Sequence, residues 1–120
     1  MIVDDNADVR FLIRAILEDA DADVVVVGDA DGVRAALESI DALDPDVVVL
    51  DAVMPIVNGF EAAPMILARR PSQKILLCSA LVDDEVRARA EQAGIRECVS
   101  KDDMDAIPGI AVRLALDGAP

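Results

Sequence analysis

Five residues of this 120-residue chain could do chemistry together, and each follows directly on an apolar run. Asp4 and Asp5 follow Met1–Val3, and Asp51 follows the uninterrupted Val47–Leu50. Ser79 ends the run KILLCS, and Lys101 follows ECVS. A carboxylate beside a buried strand needs a partner, because charged groups are seldom left buried alone. Three carboxylates gathered within a few ångströms repel one another, and some become protonated unless a cation intervenes. A hard divalent ion that keeps part of its water shell suits a site offering so few carboxylates, which points to Mg2+. Only two of the 11 basic residues, Lys74 and Lys101, are lysines. A lysine in this place supplies a compact point charge instead of the planar fork of arginine. The set matches what phosphoryl transfer onto a carboxylate requires: a cation on the phosphoryl oxygens, an attacking carboxylate, and a hydroxyl and an ammonium to hold the group.

The elements that must position these residues alternate in the sequence. Strands are predicted over Met1–Val3, Asp23–Val27, Asp46–Leu50, Lys74–Cys78 and Glu97–Val99. Val9, Leu12, Ile13, Ile16 and Leu17 form one helical stripe that Asn6 caps. Val33, Ala36, Leu37 and Ile40 form a second, with Asp31 as its expected cap. A third helix is expected from near Asn58 to before Pro71, and a fourth from about Asp83 to Gly94, a good C-terminal stop. Pro108 fits a first helical turn and not an interior one, so a turn near 103–107 should precede a last helix. Repeated strand–helix alternation implies an α/β fold, a doubly wound parallel sheet with helices on both faces. The runs VVVV at 24–27 and VVVL at 47–50 fit strands buried on both sides. Ligands of such sheets bind at the carboxyl ends of the strands, where all five reactive residues fall.

Bulk properties narrow the partners. An apolar content of 54% supports a sizeable core in a chain of single-domain size. A formal charge of −13 disfavours nucleic acid and anionic membranes, both of which need a cationic surface. No apolar run approaches the roughly 20 residues of a membrane span, and no signal peptide is seen, so a cytoplasmic protein is expected. Cys78 and Cys98 lie in apolar runs and read as reduced core thiols. The absence of histidine excludes histidine-based acid–base or metal chemistry within the chain.

The sequence resembles the receiver domain of bacterial two-component response regulators, of the chemotaxis-regulator type. The matching stretches are VDDN at 3–6, VVVLDAVMP at 47–55 with Asn58-Gly59, Cys78-Ser79-Ala80, Gly94 and Ser100-Lys101. The resemblance covers essentially the whole chain and implies one receiver domain over residues 1–120. It implies a flavodoxin-like sheet of five strands in the order 2-1-3-4-5, with five helices. It implies that Asp51 takes a phosphoryl group from a sensor histidine kinase, a phosphotransfer protein of a phosphorelay, or a small donor such as acetyl phosphate. Asp5 would bind Mg2+ directly and Asp4 mainly through water, with Asp51 and the Val53 carbonyl completing the ligands. Ser79 and Lys101 would each hold a phosphoryl oxygen. Such a module is no enzyme beyond its own phosphorylation and dephosphorylation. It would signal to an output protein, or to a second copy, through residues 83–116.

The chain departs from the family pattern in several places. The aromatic residue usual three positions before the lysine is Cys98, so the ordinary hydroxyl–aromatic switch cannot operate. The proline usual after the lysine is Asp102, and a cis bond there would cost about 2.5–4 kcal/mol, so a trans bond is expected. Asp102 and Asp103 could tether Lys101 away from an empty site. Val53 and Leu81, at positions that influence dephosphorylation across the family, are apolar and cannot orient water, so slow loss of phosphate is expected. Only three residues precede the acidic pair. The first strand should therefore be shorter than its neighbours, whether the natural chain begins further upstream or the fold tolerates a clipped centre. Two other readings stay open: a phosphorylation-independent docking scaffold, and an aspartyl-nucleophile phosphatase. The latter normally carries a second Asp where Val53 stands.

Overall fold

The structure, a computed structural model, describes residues 1–20 and 23–117; residues 21, 22 and 118–120 of the expected 1–120 unit lie outside the described residues. The strands are β1 (Ile2–Val3), β2 (Asp29–Ala30), β3 (Val47–Asp51), β4 (Lys74–Ser79) and β5 (Glu97–Ser100). The helices are α1 (Ala7–Asp19), α2 (Val33–Leu43), α3 (Gly59–Arg69), α4 (Asp84–Gln92) and α5 (Ile107–Leu116), with a 3-10 turn over Lys101–Ala106 before α5. All strand pairs are parallel and the order is β2-β1-β3-β4-β5.

Strand periodicity divides the core in two. Val3, Val48, Leu50, Ile75 and Leu77 face α2, α3 and α4, packing on Ile40, Ala62, Ile66 and Ala90. Ile2, Val49, Leu76, Cys78 and Val99 face α1 and α5, packing on Ile13, Leu17, Ile107 and Leu114. Each such fully buried aliphatic side chain stabilises the fold by about 1.5–3 kcal/mol relative to exposure. Both cysteines are free and buried, as expected of core thiols.

Local chemistry sets most helix ends where the sequence places them. The Asn6 side chain accepts from the Asp8 and Val9 amides. Asn58 and Glu61 form a reciprocal capping box at the start of α3. Asp83 caps α4, and Gly94 at φ 85° supplies the left-handed residue that follows it. The turn before Ile107 and the helix starting with Pro108 in its first turn are as read from the sequence.

Other expectations fail for stated reasons. The second strand is Asp29–Ala30, not Asp23–Val27: the register puts Ile2 opposite Asp29, so residues 23–27 run past the first residue of β1 and find no ladder partner. They are not buried on both sides either, since Val25 is 81% exposed while Val24 and Val26 pack inward. Asp31 does not cap α2; the cap position is Gly32, without a side-chain bond. In α1, Leu12 is exposed, so the inward stripe is narrower than its apolar spacing suggests.

Candidate functional site

Parallel pairing brings the strand ends to one rim. The β3–β4 register sets Asp51 beside Cys78, one residue before Ser79, and β4–β5 sets Ser79 beside Ser100, one residue before Lys101. β1 runs beside β3 with Val3 opposite Leu50, so Asp4 follows in line beside Asp51. One carboxylate oxygen from each of Asp4, Asp5 and Asp51 lies within 4.8 Å of the others. Asp4 and Asp51 are buried and Asp5 is exposed, so the cluster opens to solvent on the Asp5 side.

Lys101 lies over this cluster. Its Nζ is 3.0 Å from Asp51 Oδ1 and 3.8 Å from Asp4 Oδ2. The expected tether to Asp102 and Asp103 is therefore not formed. The Asp102 amide donates to Ser100 Oγ at 3.1 Å, and the chain curls into the 3-10 turn with both acids exposed. The bond to Asp102 is trans, as expected, and no peptide bond among the described residues is cis. Burial alone would lower the lysine pKa; the bond to Asp51 and the charges of Asp51 and Asp4 outweigh it, and the net shift is upward.

Asp4 carries the opposite stress. Burial raises its pKa, only partly offset by the Asn6 amide, which donates to Oδ1 at 2.9 Å, and the Asp51 charge pushes it further up. Asp4 Oδ2 is buried without a hydrogen-bond partner. Buried polar atoms are nearly always bonded, so an orphaned carboxylate oxygen facing two further carboxylates fits a bound cation. The all-oxygen donor set suits a hard ion such as Mg2+. Beside them, burial pushes the Cys78 thiol up to about 11, which keeps it protonated and outside the polar chemistry.

Val53, the remaining expected ligand, follows Asp51 in the loop before α3. Its amide donates to Asp51 Oδ1 at 3.3 Å, so its backbone folds against the carboxylate, while its side chain is 74% exposed. Ser79 is buried, and its Oγ accepts from the Leu81 amide at 3.4 Å, a turn-stabilising contact. Leu81 is 63% exposed at the same rim.

One contributor, Arg10, escaped the sequence reading, and a second, Gly59, was matched there without its role. Arg10 Nη1 donates to the Asp4 backbone carbonyl at 2.6 Å and its guanidinium pairs with Asp29, tying the β1 end to β2 and α1. An arginine one turn into a helix that follows an acidic pair was the available signal. Gly59 allows α3 to start against the β3 end: its amide donates to the Ala52 carbonyl at 2.9 Å, and a Cβ there would collide with the Asp51 carbonyl oxygen.

A family model described as the response regulator receiver domain matches residues 1–110. The chain belongs to that family. The receiver domain is 35% identical over 101 residues to chemotaxis protein CheY of Listeria monocytogenes, which covers 84% of this chain and 83% of that protein. It is 38% identical over 103 residues to protein-glutamate methylesterase/protein-glutamine glutaminase 1 of Rhodospirillum rubrum, covering 84% of this chain. The receiver domain spans only 26% of the length of that relative. The response regulator domain of Thermotoga maritima CheB superposes with a TM-score of 0.83 at 26% identity, covering 99% of this chain and 96% of that one. No helix among the described residues is long and apolar enough to cross a membrane.

Proposed function

We propose that residues 1–120 form a phosphoacceptor module of a two-component or phosphorelay system, with Asp51 as the residue phosphorylated. The observation that carries this reading is the Asp51 carboxylate, 3% exposed, at the end of a buried strand with Lys101 Nζ 3.0 Å away. An Asp51 oxygen attacks the phosphorus of a phosphohistidine, on a sensor kinase or phosphotransfer protein, or of a small donor such as acetyl phosphate. The new O–P bond makes an acyl phosphate, and the bond to the donor's imidazole nitrogen or acetate oxygen breaks. Lys101 neutralises one phosphoryl oxygen, and the Ser79 hydroxyl, released from the Leu81 amide, donates to another. Asp4, Asp5, Asp51 and the Val53 carbonyl would hold Mg2+, which when bound neutralises charge on the phosphoryl oxygens. The chain's catalysis is confined to its own phosphorylation and dephosphorylation. Its relatives include a chemotaxis protein and a methylesterase, so the output belongs to whatever the domain docks on or is joined to. The docking surface proposed is residues 83–116, for an output protein or a second copy. A cytoplasmic setting fits partners of this kind.

Incubation with acetyl phosphate and Mg2+, followed by intact-mass measurement, tests the reading. The wild type gains one hydroxylamine-labile phosphoryl group, and Asp51→Asn gains none. Equal incorporation in the two proteins refutes the assignment. A second reading, docking without phosphorylation, is favoured by Cys98, a small buried thiol where an aromatic ring would report the state of the site. Under it, Asp51→Asn leaves partner binding unchanged.

A further inference from the structure

Of the three clustered carboxylates, Asp5 is the one that no neighbour holds. Asp51 accepts from the Val53 amide and pairs with Lys101. Asp4 Oδ1 accepts from the Asn6 amide. The Asp5 side chain is exposed and makes no hydrogen bond or ion pair among the described residues. It nevertheless offers an oxygen within 4.8 Å of those of Asp4 and Asp51. An exposed side chain without a partner keeps its rotamer freedom, so its backbone alone can hold it near the cluster. One side chain grips that backbone: Arg10 Nη1 donates to the Asp4 carbonyl at 2.6 Å. The Asp4 carbonyl and the Asp5 amide lie in one rigid peptide plane, so this bond sets the direction in which the Asp5 side chain leaves the chain.

We propose that Arg10 is a positioning residue for the cation site: it bridges Asp29 and the Asp4 carbonyl, and so keeps Asp5 and Asp4 Oδ2 turned toward Asp51. The proposal rests on the reading of these acids as a Mg2+ site. Arg10 lies in the first turn of α1, and helical side chains lean back toward the helix N-terminus, here the end of β1. Its guanidinium reaches two ways, with Nε 3.6 Å from Asp29 Oδ2 and Nη1 on the Asp4 carbonyl. The Arg10 side chain is only 19% exposed, so its charged bond to the carbonyl is largely shielded from water. A planar fork can span two such partners, whereas lysine offers a single nitrogen. The Asp4 amide donates to the Ala30 carbonyl at 3.1 Å. Asp4 is thus held at its amide, its carbonyl and Oδ1, and Oδ2 is the polar atom left without a hydrogen bond.

Charge alone gives no reason for an arginine here. A positive group beside a cation site repels the ion. Charge and geometry therefore predict opposite results when Arg10 is lost. Removing only a like charge tightens Mg2+ binding, while removing the bridge weakens it. Arg14 supplies the contrast within the same helix. Its Nη2 is 3.8 Å from the same Asp29 carboxylate, but its hydrogen bond goes to Glu18 at 3.5 Å and not to the Asp4 backbone.

The experiment titrates MgCl2 at constant ionic strength into the wild type, Arg10→Gln, Arg10→Lys and Arg14→Gln, and follows the amide resonances of Asp5, Asp51 and Lys101 by NMR. Arg10→Gln and Arg10→Lys should each raise the Mg2+ Kd by about tenfold or more, as when groups that orient metal ligands are removed, and Arg14→Gln should leave it unchanged or lower it. A merely structural brace would lower the urea midpoint in EDTA and leave the Kd where it was. The metal-free spectra report folding, and Arg10→Lys carries the test should Arg10→Gln not fold. Equal or tighter binding by Arg10→Gln overturns the proposal. Wild-type affinity in Arg10→Lys overturns it too, since charge without the fork would then suffice, as does equal weakening by Arg14→Gln. A wild type whose resonances ignore Mg2+ overturns the cation-site reading itself, and the bridge with it.

Discussion

Replacing Asp4 with Asn should make the metal-free domain more stable. Asp4 is 1% exposed, so its charge is held almost without water. Its attraction to Lys101 at 3.8 Å is about 4 kcal/mol at an effective dielectric of 20, and repulsion from one carboxylate at 4.8 Å is about 3.5 kcal/mol. Removing the charge loses the first and relieves the second, which nearly cancel, and the exposed Asp5, screened by water, adds a smaller relief in the same direction. What remains is the desolvation of Oδ2, which has no hydrogen-bond partner and costs about 1–3 kcal/mol. Asn preserves the acceptor for the Asn6 amide and carries no charge. The variant should therefore gain about 1–3 kcal/mol in EDTA, near 4 °C in Tm per kcal/mol for a domain of this size. Mg2+ at a hundredfold excess over its Kd should stabilise the wild type by about 2.7 kcal/mol, and the variant by much less. Thermal unfolding of both proteins, with EDTA and with Mg2+, measures each quantity. A variant less stable than the wild type in EDTA, or two proteins with equal Mg2+ responses, would refute the reasoning.

Three further outcomes follow from particular residues. Between pH 6 and 8 the unfolded chain binds more protons than the folded one, because the Met1 amine is lowered to about 6 on folding; stability should rise across that window by about 2 kcal/mol. The chain has no histidine to confuse the profile, so denaturant midpoints that stay flat or fall with pH contradict the burial of the amine. Gly59→Ala sets a Cβ against the Asp51 carbonyl and 3.0 Å from Ala52 Cα, both backbone, and should destabilise by about 1–3 kcal/mol in urea unfolding; a loss under about 0.5 kcal/mol denies the close approach. Val53→Asn places a water-orienting amide at the rim, and should shorten the lifetime of the phosphorylated protein in Mg2+ buffer, measured by intact mass; a wild-type half-life of seconds would remove the basis for this expectation.

The parts legible in the sequence are those whose cause is local. Asn6, Asn58, Asp83 and Gly94 mark helix ends because a cap needs only its own side chain and the next turn. The convergence of the strand-end residues was legible too, since apolar runs ending in Asp, Ser or Lys need only parallel pairing to meet at one rim. What the sequence did not reveal depends on a neighbour. VVVV at 24–27 has every propensity of a strand, yet pairing is decided by where β1 offers a backbone, and the ladder forms at Asp29–Ala30. Lys101 could have turned to Asp102 or Asp103. It goes to Asp51 because a buried carboxylate pair attracts an ammonium more strongly than acids already bathed in water.

Helix α4 buries only Ala90 among its residues, and Arg89 lies 4.1 Å above the ring of Phe60 on α3. That anchor, the partly buried Val86 and one cation–ring clasp, worth about 0.5–1 kcal/mol at an exposed place, are modest restraints for a whole helix. The clasp also joins two helices that both start from the carboxyl rim of the sheet, α3 hard against Asp51 and α4 beyond the loop that follows Ser79. Loosening it should free α4 to drift without disturbing the sheet, so this flank is where the scaffold yields first under a small push.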